Sequence, residues 1–191
     1  MTTTWLWYAT RGAGLVSLLL LTAVTVLGVL SAARFEAAGW PRFVTTGFHR
    51  NLSLLAVVFL ALHIGTAVVD PFTHLGWTAA FVPFASYYRT FWLGLGTVAF
   101  ELLLAVLVTS LLRGFIGRTA WRAIHWLGYA CWPVAVGHGL GTGTDAWSAW
   151  ALLLTAGCVV AVGWAVFARL TLPASDPLSG ARARFRDSAR R

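Results

Sequence analysis

The stretch FHRNLSLLAVVFLALHI, residues 48–64, is apolar enough to cross a bilayer and still carries a histidine near each end, His49 and His63. A helix rises about 1.5 Å and turns about 100° per residue, so this spacing sets the two imidazoles about 21 Å apart and within about 40° of one face. One helix therefore offers an imidazole near each membrane surface. A second stretch, WRAIHWLGYACWPVAVGHGL at residues 121–140, holds His125 and His138, thirteen residues apart. Two helices can thus present two matched histidine pairs, which use four of the five histidines of the chain.

The rest of the composition agrees with a membrane setting. Of 191 residues 59% are hydrophobic and 10% charged, and the mean hydropathy is +0.76, far from a soluble domain. The net charge of +8 does not indicate nucleic acid, because the basic residues, all of them arginine, border the apolar runs or fall in the tail. Cys131 and Cys158 lie inside apolar runs, where a free cysteine acts as a small hydrophobe. The first apolar run exceeds the usual core of a signal peptide and reads as a retained span.

Five segments, near residues 12–33, 48–69, 91–112, 121–140 and 148–170, are long enough to cross about 30 Å of hydrocarbon. The expected fold is an all-α integral membrane bundle of about five transmembrane helices over residues 1–172, followed by a polar, arginine-rich tail at 173–191. Residues 70–90, with two prolines and mixed polarity, read as an interfacial loop that includes a short helix. Arg34, Arg42, Arg50, Arg113, Arg118, Arg122, Arg169 and the five arginines of the tail fall on one side, and Arg11 and Arg89 on the other. The positive-inside rule then puts the C-terminus in the cytoplasm and the N-terminus outside a bacterial plasma membrane. The second and fourth spans run in the same direction, so His49 pairs with His125 and His63 with His138.

Four imidazoles inside spans need a common reason, because an unpaired polar group in hydrocarbon costs several kcal/mol. Interhelical hydrogen bonds are the plain explanation for any one of them. Zinc or copper is served poorly by two nitrogens per level with no carboxylate or thiolate nearby. Two haems of b type would find what they need, two axial imidazoles facing each other at each of two depths. Arg50 and Arg122 near one pair, and Arg11 and Arg89 at the other end, are candidate partners for haem propionates or plain interfacial anchors. Gly65, Gly128, Gly137 and Gly139 are places where a macrocycle could approach the backbone, and Trp132 and Phe59 fall at depths between the two levels. Glu101 stands in the middle of the third span, where a hydrogen bond to a neighbouring helix or a proton path would account for it; His74 lies in the loop.

The doubled spacing, fourteen residues from His49 to His63 and thirteen from His125 to His138, resembles the ferric reductase-like transmembrane domain family. That family is shared by ferric reductases, NADPH oxidases and the haem-bearing membrane subunit of bacterial methionine sulfoxide reductase systems. The resemblance covers about residues 12–170 and implies that these four histidines ligate two stacked b haems. It departs in having five expected spans where many relatives have six, and no fused dehydrogenase domain. What it implies is transmembrane electron transfer from a separate cytoplasmic reductase, or another donor, to an extracytoplasmic acceptor: iron, oxygen, quinone or a protein. The alternatives are a carrier or assembly subunit that holds haem in a larger membrane complex, and a small transporter with no haem whose buried histidines relay protons. One geometric tension remains, since thirteen residues of ideal helix leave His138 about 140° from the direction of His125. A distortion around Pro133, between about Tyr129 and Gly137, is expected to relieve it.

Overall fold

In the computed structural model, residues 4–32, 42–71 and 75–171 are described, and all regular structure among them is helical. The elements are α1 (Thr4–Ala32), α2 (Arg42–Val69), α3 (Gly76–Phe81), α4 (Thr90–Leu111), α5 (Arg113–Ile116), α6 (Arg118–His125), α7 (Leu127–Thr142) and α8 (Ala149–Thr171). Four helices, α1, α2, α4 and α8, are long and apolar enough to cross a membrane. The fourth expected span, 121–140, is not one helix: its residues divide at Trp126 into an amphipathic α6 and a 16-residue α7. Arg118 and Arg122 make α6 a segment for the interface, which is why the run of 121–140 does not form an uninterrupted span.

The bundle is assembled from two helix pairs. α1 packs along α2, and α4 packs along α7, while α8 leans on α1 through Ala151, Cys158, Ala165 and Ala168, all buried. Small residues at this contact allow close approach, the usual means of helix association in lipid, where apolar surface alone gives no drive. α1 and α7 are tied at mid-depth by Trp132, whose Nε1 donates to Thr22 Oγ1 at 2.9 Å. Thr22 in turn donates to the Leu18 carbonyl at 2.7 Å, so neither buried polar group is left open. Short α3 bridges the two pairs at one end: it meets both α2 and α4, and Thr97 Oγ1 donates to the Ala79 carbonyl at 2.8 Å. This is the short helix expected in the loop after the second span.

The distortion expected near Pro133 is found elsewhere. Helix α7 runs through Pro133, and the break comes at Trp126, where φ −62° and ψ −23° fit a tighter 3₁₀ turn. The Tyr129 amide accordingly bonds to the carbonyl of Trp126 at 3.0 Å, three residues back instead of four. Trp126 is held from outside by Arg169, whose guanidinium lies 5.6 Å from its ring. His74, the polar tail and Arg34 lie outside the described residues.

Candidate functional site

Facing α2 across the bundle stand α6 and α7, and the two histidine pairs meet there. The ring centroids of His49 and His125 are 6.2 Å apart with planes at 60°, and those of His63 and His138 are also 6.2 Å apart, with planes at 80°. The pairing is that of two elements running in the same direction, and the tight turn at Trp126 lies between the two histidines of the second element.

Three of the four rings are held by one repeated device. His63 Nδ1 lies 2.8 Å from the Thr10 carbonyl oxygen, His49 Nδ1 3.2 Å from that of Val24, and His138 Nδ1 2.9 Å from that of Trp92. A carbonyl only accepts, so each Nδ1 carries the proton and donates it, which leaves Nε2 with a free lone pair. Four residues after each acceptor comes a glycine: Gly14, Gly28 and Gly96. A helical side chain leans toward the N-terminus and covers the preceding turn, so a glycine there uncovers the carbonyl four residues back and lets the imidazole reach its second lone pair. A Cβ on Gly96 would stand 2.5 Å from His138 Cε1, on Gly14 2.9 Å from His63 Cε1, and on Gly28 3.5 Å from His49 Cε1.

His125 departs from the device. Its Nδ1 is buried without a partner, and Thr109 and Ser110 occupy the places on α4 where a glycine matching Gly96 would fall. Ser110 Oγ instead accepts from Trp121 Nε1 at 3.3 Å, and the Trp121 ring lies 4.9 Å from that of His125. The ring is therefore positioned by an indole and not by a carbonyl.

A cavity of about 310 Å³ opens at the His63/His138 level, with mostly apolar walls from α1, α2, α4, α7 and α8. Arg11 lines it and forms an ion pair with Asp145, which joins α1 to the turn before α8. Arg89, in the left-handed region at φ 42°, donates through Nη1 to the Gly141 carbonyl at 2.5 Å. Both arginines of this end are thus engaged by the protein. At the other end Arg50 and Arg122 are exposed beside the His49/His125 level. Of the glycines expected to face a macrocycle, Gly65, Gly128 and Gly139 have no atom within 4 Å of a built Cβ, and Gly137 has only Leu95 Cδ1, at 3.6 Å. The glycines that touch the histidines are others. Trp132 lies at the expected intermediate depth, hydrogen-bonded to α1, and Phe59 is half-buried. The hydrogen bond expected from Glu101 to a neighbouring helix is not made: the residue is exposed and has no hydrogen bond or ion pair among the described residues.

Among the described residues no three histidine, cysteine, aspartate or glutamate side chains gather as a metal cage. The fold defines an all-α protein with four candidate membrane-spanning helices, a multi-pass membrane protein. No protein-family model, curated protein or solved structure matches the chain.

Proposed function

We propose that the chain is a di-haem b membrane cytochrome that carries electrons across the bilayer, similar in kind to ferric reductase-like transmembrane domains. One observation carries the reading: two facing imidazole pairs, each with centroids 6.2 Å apart. Two imidazoles sharing one metal ion require about 2 Å for each metal–nitrogen bond and about 1.1 Å from each nitrogen to its ring centre, or about 6.2 Å in all. The donor chemistry fits as well. Carbonyl bonds to Nδ1 of His49, His63 and His138 fix the tautomer that presents Nε2, the arrangement that also makes imidazole a stronger donor to a metal.

When bound, haem supplies one-electron chemistry at each level. The chain's part is to hold, orient and insulate. His49 and His125 would hold one group and His63 and His138 the other, two imidazoles to each. Trp132 keeps a packed, water-excluding contact between α1 and α7 at the depth between the levels. Arg50 and Arg122, exposed near the first pair, suit propionates or an acidic face of a cytoplasmic donor. With the arginine-rich end in the cytoplasm of a bacterial cell, the His49/His125 level would face the donor and the His63/His138 level an extracytoplasmic acceptor.

The test is spectroscopic. Purified protein, oxidised and then dithionite-reduced, should show the sharp reduced α-band of bis-imidazole haem at two haems per chain. His63→Ala and His138→Ala should each lower this to one, and the double variant should lose no more than either. Two haems retained in His63→Ala, or none in the native protein, would remove the reading. Electron transfer across the membrane is checked by enclosing reductant in vesicles and following reduction of an impermeant acceptor outside.

A further inference from the structure

Glu101 is the twelfth of the 22 residues of α4, at the middle of a candidate span, and its side chain is exposed. It does not line the central cavity, although Phe100 and Leu103 beside it do. A carboxyl group in hydrocarbon needs hydrogen-bond partners, since leaving it bare costs several kcal/mol. Within this chain none is supplied among the described residues. The same face of α4 is covered earlier along its length, where Phe84 seats against Gly94 and Thr97 bonds to α3. Beyond that cover, Glu101, Leu104, Val108 and Leu111 are all exposed, at intervals of three, four and three residues. These are the a and d positions of a heptad, the spacing of a two-helix seam.

We infer that α4 pairs with α4 of a second copy of this chain, in parallel, with Glu101 meeting Glu101 at the bilayer midplane. A two-fold axis along the membrane normal brings equal depths together. The occupant has to be self-complementary, and a protonated carboxyl is: it holds one donor and one acceptor, so two of them satisfy each other. A single polar residue at an a position is also the known device for fixing register and oligomer number in such seams. Leu104, Val108 and Leu111 supply shape but little drive, because lipid is as apolar as they are. This inference does not depend on haem.

The experiment uses the full chain in native membranes, with two differently tagged copies co-expressed and a photo-crosslinking residue placed at Leu104 or, for comparison, at exposed Val160 on α8. The expected product is an adduct between the two tagged copies from position 104 and not from 160. Glu101→Gln, which keeps a donor and an acceptor, should retain it, and Glu101→Leu should reduce it about tenfold, the worth of interhelical hydrogen bonds in lipid. No adduct from 104, an adduct with a different protein, equal adducts from both sites, or Glu101→Leu pairing as well as Glu101→Gln would each overturn the inference.

Discussion

At the scale of single residues, the site rests on how closely three imidazoles approach neighbouring backbone. The gap left at each glycine differs, so alanine there should have graded effects with a change of sign. At Gly28 the new methyl would sit 3.5 Å from His49, an ordinary contact, and alanine gains about 0.5–1 kcal/mol of helix preference. At Gly96 it would sit 2.5 Å from His138 and push the ring off the Trp92 carbonyl, an overpacking cost of about 1–3 kcal/mol. Gly28→Ala should therefore melt at or slightly above the native temperature in detergent, and Gly96→Ala several degrees below it, with haem lost from the His63/His138 level alone. Equal melting of the two variants would show that the glycines are not there for the rings. The histidines themselves were legible from polarity within apolar runs. The partner glycines leave a signal as well: Gly14 and Gly28 are fourteen residues apart, the spacing of His63 and His49 on the antiparallel neighbour. The open Nδ1 of His125 could not be read from sequence, because it depends on which α4 residue faces that ring.

At the scale of elements, hydropathy located the four long helices well. The expected 91–112 is Thr90–Leu111, and 148–170 is Ala149–Thr171. The first helix begins at Thr4 and not near residue 12, because Trp5, Trp7, Tyr8 and Arg11 read as polar or interfacial while they form its first turns. Hydropathy does not report helix breaks, and Trp126 was missed for that reason. The correct geometric demand, extra twist between His125 and His138, was assigned to Pro133 because proline is the strongest local breaker, whereas the tight turn at Trp126 is where the structure departs from a regular α-helix. Two variants separate these elements. Pro133→Ala should leave both proposed haems in place, since α7 already runs through that position. One alanine inserted between Cys131 and Trp132 turns everything beyond it by about 100° and should cost the His63/His138 haem while sparing the other. If Pro133→Ala alone removed that haem, the distortion at Trp126 would be insufficient to align the pair.

At the scale of the whole molecule, the two ends differ in charge, and that difference sets direction. Arg50, Arg113, Arg118, Arg122 and Arg169 lie at the His49/His125 end, where α8 finishes against Trp126. Arg11 and Arg89 lie at the other, one neutralised by Asp145 and the other bonded to a carbonyl. A membrane that retains positive charge on its cytoplasmic face would hold the His49/His125 end inside. Exposed positions mark both ends: Trp147 lies in the turn before α8, 74% exposed, and Phe115 in α5, 90% exposed. The native cysteines, Cys131 and Cys158, are buried and should stay silent toward a bulky thiol reagent. An impermeant maleimide added to intact cells should therefore label Trp147→Cys and not Phe115→Cys, and permeabilised cells should label both. Labelling of Phe115→Cys alone in intact cells would reverse the molecule in the membrane, and with it the direction of the electron flow proposed above, while leaving the histidine pairs and their spacing untouched.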